Sequence, residues 1–200
     1  MTTTRIAIVV GSTRPGSNGD VTGIPRKGGD VGRWVHDLAT ERGDAEYTLV
    51  DLAEVDLPLF DEPFMPIMAT YTRPHTKAWA ETVAGFDGFV FVTPEYNHAP
   101  PAALKNALDY LHAEWADKAA GFVGYGQFGA ARAVEQLRSM MGELRIADVS
   151  AQVGFGLHTD FEELRYFRPL PHQEEALAEM LDQLVAWANA LAPLRAGKAG

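Results

Sequence analysis

Residues 88–110 read Gly88-Phe-Val-Phe-Val-Thr-Pro-Glu-Tyr-Asn-His-Ala-Pro-Pro-Ala-Ala-Leu-Lys-Asn-Ala-Leu-Asp-Tyr110. The first six residues form a short apolar run rich in β-branched and aromatic side chains, which suits a strand buried on both faces. Pro94 ends it. Pro100 and Pro101 open a helix, because proline fits a first helical turn whose N–H groups have no intrahelical partner. Leu104, Leu108, Leu111 and Trp115, spaced by 4, 3 and 4, predict that this helix runs through Trp115. Between strand and helix stand Glu95, Tyr96 and Asn97, which bring a carboxylate, a flat ring and an amide beside backbone donors. Such a set can hold a flat heteroaromatic ring. The plainer reading is an ordinary strand-to-helix loop whose Pro and Asn only make the turn.

Working outward, strand-like runs alternate with helical patterns: Arg5–Val10 then Val31–Thr40, Tyr47–Val50 then a Pro-rich loop and Lys77–Ala84, Gly88–Thr93 then Pro101–Trp115. Gly121–Tyr125 with Ala131–Leu144, and Ile146–Gln152 with Glu174–Leu191, continue the alternation. Five βα units imply a five-stranded parallel sheet with helices on both faces, a three-layer α/β sandwich. Right-handed crossovers favour the strand order 2-1-3-4-5. In that order the loops after Val10 and after Thr93 meet at one crevice, where the winding reverses. Residues 1–195 form one domain, and the tail from Arg195 on, residues 196–200 above all, is expected to fray.

Composition narrows the function classes. The 200 residues include no cysteine, so disulfides, thiolate metal sites and Cys nucleophiles are excluded, and the chain suits a reducing cytoplasm. No run approaches the roughly 18 apolar residues of a membrane span. Lys and Arg number 17 against 27 Asp and Glu, a net charge of −10, which argues against nucleic acid as a partner. Residues 41–62 hold eight of the acids and one base, a pattern that fits a solvated face. The six histidines lack zinc-ligand spacing, so no metal site is expected, and no Gly-x-Ser-x-Gly elbow is present.

The loop after the first strand, Gly11-Ser-Thr-Arg-Pro-Gly16, combines two small hydroxyls, an arginine and flanking glycines, as suits a phosphate held by backbone N–H groups and a guanidinium. It is neither a Walker A loop nor the G-x-G-x-x-G fingerprint. Together with the Pro-Glu-Tyr-Asn loop it resembles the NAD(P)H-dependent FMN reductase family of flavodoxin-like proteins. The resemblance extends to Asp56-Leu-Pro-Leu-Phe-Asp-Glu-Pro63, to Pro94–Tyr110, and to Gly124-Tyr125-Gly126 followed by Arg132-Ala-Val-Glu-Gln-Leu-Arg138.

The resemblance implies one FMN per subunit, with its phosphate at Ser12, Thr13 and Arg14, its ring edge along Pro94, Glu95, Tyr96 and Asn97, and Gly124, Tyr125 and Gly126 on the other side. It also implies electrons from NAD(P)H, a small-molecule acceptor such as a flavin, quinone or azo compound, and a homodimer or homotetramer. Hydride chemistry belongs to the flavin, so no catalytic side chain is named. Glu95 and His98 are candidate proton donors, but ordering of the loop and exposure to solvent are the favoured roles.

The chain departs from the family after Gly16. Either Arg26 is the arginine that opens the first helix, making Ser17 to Pro25 a nine-residue insertion, or Ser17 and Asn18 supply the polar pair directly. The Pro-rich segment from Leu57 to Pro74 is too apolar for a solvated loop. It packs either on its own domain or, as we favour, against a neighbouring subunit near its flavin. The rival functions are a noncatalytic electron carrier, which acidity permits, and a binding module that has lost the flavin.

Overall fold

The computed structural model describes residues 3–16 and 25–197. A five-stranded sheet in the order 2-1-3-4-5 is built from β1 (Arg5–Val10), β2 (Glu46–Asp51), β3 (Gly88–Pro94), β4 (Lys118–Gly126) and β5 (Ile146–Gly156), all paired in parallel. The expected fold class and strand order are those observed.

Alternation along the strands sorts side chains to two faces, both covered. Ala7 and Val9 of β1 join Phe89 and Phe91 of β3 and Phe122 of β4 in one core. That core is closed by α3 (Pro74–Ala84), α4 (Ala102–Asp109) and α5 (Ala131–Glu143) through Trp79, Leu104, Leu108 and Leu137. Ile6, Ile8, Val90, Val92 and Val123 point the other way, onto α1 (Lys27–Arg42) and α6 (Pro171–Ala190), where Val31, Val35, Leu177, Leu181 and Leu184 meet them. Every residue of β3 and β4 is buried. Two short helices, α2 (Leu52–Val55) and α7 (Ala192–Ala196), a single 3-10 turn at Pro66–Met68, and a hairpin of β6 (Phe161–Glu162) with β7 (Tyr166–Phe167) complete the described chain.

Three local expectations are corrected. The helix after the third strand stops at Asp109, although Leu111 and Trp115 are buried as their spacing requires. Trp115 folds back in a turn and its indole Nε1 donates to the carbonyl of Leu108 at 3.1 Å, satisfying a helix-end acceptor from outside the helix. The first helix begins at Lys27, four residues before Val31, and runs through three glycines. Two of these are close-approach positions: a Cβ on Gly32 would lie 2.6 Å from Val10 Cγ2, and one on Gly28 would lie 2.7 Å from the Tyr125 hydroxyl. Arg195 is not frayed. Its guanidinium pairs with Asp87 at 2.7 Å and donates to the carbonyls of Asp117 and Ala188, both at 3.0 Å.

Candidate active site

The C-terminal ends of β1, β3 and β4 frame a crevice of about 470 Å³. Ser12, Arg14 and Arg26 line it from the first loop and the start of α1; Pro94, Glu95 and Tyr96 line it from the end of β3; Tyr125 and Gly126 close it from β4. Eight of the twelve residues singled out in the sequence therefore share one cavity. Thr13 turns away and lines a neighbouring cavity of about 440 Å³ beside α2 and α4. Asn97 sits on the exposed tip of its loop. Gly124 lies underneath, where a Cβ would come within 2.2 Å of the Gly129 carbonyl oxygen. Ser17, and with it the choice between the two alignments of the insertion, lies outside the described residues.

Within the crevice, Ser12 is buried and its hydroxyl lies 3.2 Å from the Tyr96 hydroxyl while accepting from the Arg14 backbone N–H at 3.3 Å. Burial pushes the Tyr125 phenol well above its ordinary range, partly countered by Ser12, so it stays protonated. Arg26, the residue before α1, faces Asp51 at the end of β2: Nη2 donates to Oδ1 at 2.7 Å, and the guanidinium also reaches the Ser12 carbonyl. The hydrogen bonds to Asp51 raise the Arg26 pKa further, burial opposing them. The charge of Arg26 is thus directed at Asp51.

Sequence reading missed Lys27, which lines the same crevice on the first turn of α1. Burial lowers its pKa, and the nearby Arg14 lowers it further. Neither Lys27 nor Arg14 has an ion-pair partner among the described residues. A signal was available, since a lysine opening a helix opposes the helix dipole unless an anion is present. Pro15, Pro25, Gly28 and Leu157 also line the crevice and carried no such signal.

Glu95 does not reach into the crevice as a free carboxylate. It is inserted between β3 and α5, where it accepts from the backbone N–H groups of Arg132 at 3.0 Å and Ala133 at 3.3 Å and from Arg132 Nε at 2.7 Å. The residue before α5, Ala130, offers no capping side chain, so Glu95 caps that helix from 37 residues away. Burial alone would raise its pKa; the Arg132 guanidinium and the helix amides bring it below the usual range. The carboxylate, expected to order its own turn, instead joins that loop to the start of α5.

Beside the crevice, the Pro-rich strap is firmly seated yet apolar outside. Glu62 is buried and accepts from Thr72 Oγ1 at 2.7 Å, Thr72 N at 2.9 Å and Arg73 N at 2.8 Å. Asn106 of α4 donates to the Pro58 carbonyl at 2.7 Å and accepts from Phe60 N at 2.9 Å. The Tyr110 hydroxyl donates to Asp61 at 3.1 Å, and burial together with that carboxylate pushes its pKa up to about 12. Leu59, Phe60, Phe64, Met65, Ile67 and Met68 remain exposed.

An open parallel sheet whose winding reverses between β1 and β3, with a cationic and aromatic crevice beyond that point, defines a flavodoxin-like α/β protein. The fold is shared by solved flavoenzymes: the NAD(P)H:(acceptor) oxidoreductase FerB from Paracoccus denitrificans superposes with a TM-score of 0.68 at 19% identity, covering 94% of this chain and 98% of its own. The chain belongs to the NADPH-dependent FMN reductase family, whose model matches residues 4–160. It is similar to an NAD(P)H-dependent FMN reductase of Schizosaccharomyces pombe, with 40% identity over 146 residues, 72% of this chain and 68% of the relative. It is also similar to a 2-hydroxy-1,4-benzoquinone reductase of a Burkholderia species, with 31% identity over 150 residues, 71% of this chain and 72% of the relative. The chain is an oxidoreductase of the FMN- and NAD(P)H-dependent kind. No helix among the described residues is long and apolar enough to cross a membrane.

Proposed function

We propose that the 470 Å³ crevice holds FMN and that the protein carries two electrons from NAD(P)H to a small diffusible acceptor of the quinone or flavin class. The observation that carries this reading is a pair of cations, Arg14 and Lys27, that have no ion-pair partner among the described residues and line the same crevice as Tyr96, Tyr125 and Gly126. A dianionic phosphate fits the two cations, and a flat ring fits the tyrosine and glycine wall. FMN held here would supply the hydride chemistry between nicotinamide and acceptor.

The protein's share is to bind, orient and exclude water. Arg14 and Lys27 neutralise the phosphate. Arg26 serves the loop and not the phosphate, because Asp51 engages its charge. Ser12, held against Tyr96, ties the first loop to the loop after β3. The Tyr125 phenol, kept neutral by burial, adds no charge to the ring's surroundings. Glu95, ion-paired with Arg132, is a structural carboxylate, and no proton donor is assigned.

The exposed apolar strap supports assembly as a homodimer or homotetramer, with Phe64, Met65, Ile67 and Met68 covered by a second copy. The absence of cysteine suits the cytoplasm.

The test is spectroscopic and kinetic. Protein mixed with FMN and desalted should retain flavin absorbance, NADPH or NADH should bleach it anaerobically, and a benzoquinone or free FMN should restore it. A protein that retains no flavin and oxidises no nucleotide with either acceptor overturns the reading.

A further inference from the structure

The turn beyond Tyr96 is held in a conformation that its own sequence only half favours. Tyr96 N donates to the Ala99 carbonyl at 2.9 Å and Ala99 N to the Tyr96 carbonyl at 3.0 Å, which closes a two-residue hairpin around Asn97 and His98. Both central residues have positive φ, 51° at Asn97 and 69° at His98. This is the type I′ arrangement, whose usual occupants are Asn followed by Gly. Asn97 suits its position. His98 stands where glycine is favoured, and a side chain in the left-handed region persists only when surrounding contacts determine it.

Those contacts come from the start of α5. Gln136 Nε2 donates to the His98 carbonyl at 2.7 Å. Arg132 Nη1 lies 2.9 Å from His98 Nε2; a guanidinium can only donate, so this ring nitrogen is the acceptor. Arg132 Nε meanwhile donates to Glu95 Oε1 at 2.7 Å. One arginine therefore holds the residue before the turn and the residue inside it, and one glutamine holds the turn's main chain. Glu95 and Tyr96 line the crevice, whereas Arg132 and Gln136 do not.

We propose that Arg132 and Gln136 are positioning residues for the flavin ring: they fix the Pro94–Tyr96 wall of the crevice before the ligand arrives. The inference rests on the reading of that crevice as the FMN site. A wall fixed in advance lowers the ordering cost of binding. Backbone dipoles held in place also distinguish the reduced ring, with its added negative charge, from the oxidised one. Loss of the clamp therefore weakens binding of both forms, the reduced form more, and makes the midpoint potential of the bound flavin more negative.

The experiment compares the wild-type protein with Gln136→Ala, Arg132→Gln and, as a control on the same helix, Arg138→Gln. Arg138 pairs with Asp148 and donates to the Val149 carbonyl, away from the turn, so its loss perturbs α5 without touching the clamp. FMN affinity is read by fluorescence quenching, the midpoint potential by redox titration, and folding by melting temperature. Gln136→Ala should raise the FMN dissociation constant about 3- to 10-fold, the range for one lost hydrogen bond. Arg132→Gln should raise it more. Both should move the potential to more negative values, and Arg138→Gln should lower the melting temperature and leave the potential unchanged. Unchanged affinity and potential in both clamp variants would overturn the inference while leaving the FMN site intact, as would an equal shift in Arg138→Gln. A wild-type protein that binds no FMN would bring down the site itself, and the inference with it.

Discussion

Arg26 and Asp51 meet across the mouth of the sheet, 25 residues apart in the chain, and through that contact the end of β2 is fastened to the carbonyl of Ser12 in the loop after β1. The same Asp51 carboxylate accepts from Ala53 N at 2.9 Å and so opens α2. One ion pair organises a loop, a helix start and a strand end. Removal of its cation leaves a mostly buried carboxylate with no countercharge and, among the described residues, only the Ala53 N–H bonded to it, a change that costs about 3 kcal/mol. Arg26→Met is therefore expected to lower stability in a denaturant titration, with Arg26→Met/Asp51→Asn less damaging than the sum of the single changes. Lys27→Ala should do the reverse, with stability nearly unchanged and FMN affinity reduced about tenfold, as for a lost charge-assisted hydrogen bond. Equal effects of Arg26→Met and Lys27→Ala on FMN affinity would refute this division of labour.

Glu62 makes the seating of the strap sensitive to acid. Burial alone would raise its pKa, but the N–H groups of Arg73 and Thr72 and the Thr72 hydroxyl hold it down to about 2, from an ordinary 4.5. A carboxyl with a depressed folded pKa contributes stability that is complete above its unfolded value and is lost as pH falls through its folded value. The window therefore lies between 4.5 and about 2. Urea titrations at neutral pH and near the bottom of that window should show a stability loss in the wild type that is smaller in Glu62→Gln. Identical losses in the two proteins would remove Glu62 from the account.

Gly124 is a steric requirement of the crevice floor. A Cβ there would meet the Gly129 carbonyl oxygen at 2.2 Å and Ala130 Cβ at 3.0 Å, and backbone cannot step aside as a flexible side chain can. Gly124→Ala should cost about 2 kcal/mol or more and weaken FMN binding through displacement of Tyr125 and Gly126. Gly142, with nothing near a built Cβ, is the internal control, and Gly142→Ala should be neutral or stabilising. A thermal melt of each variant decides the matter.

Ile67 projects from the strap, 64% exposed, between Met65 and Met68. If a second copy covers this face, Ile67→Glu should convert the assembly to monomers in sedimentation velocity and leave the monomer's melting temperature close to that of the wild type. A wild-type protein that sediments as an active monomer would dismiss the proposed interface.

The sequence made the sheet legible because its strands are short apolar runs bounded by turn residues, and one winding satisfies right-handed crossovers. The crevice was legible for the same reason: a strand order that reverses beside β1 leaves two loops with nowhere else to meet. Side-chain roles inside it were less so. Lys27 gains its importance only because Asp51 engages Arg26, a pairing invisible to local pattern. Thr13 and Ser12 are neighbours of similar chemistry, yet they face different cavities. Leu111 and Trp115 kept helical spacing beyond the helix end, since spacing reports which residues are buried and not which hydrogen bonds their backbone makes. Arg195 looked like a frayed tail because its anchor, Asp87, lies 108 residues away.

The central pairing of this sheet also sets a schedule for making the protein. β1 is flanked by β2 and β3, and the contact of Arg5 with Asp87 spans 82 residues. All four pairings are parallel, so none can begin as a local hairpin. Folding should accordingly be slow for a chain of this size, on the order of milliseconds to seconds or longer. A chain emerging from the ribosome must keep the inner edge of β1 unmatched until β3 has been synthesised. During that interval Ile6, Ile8 and Val10 offer an apolar, open-edged strand to any other nascent chain, so slower synthesis or less chaperone access should lower the yield of folded protein.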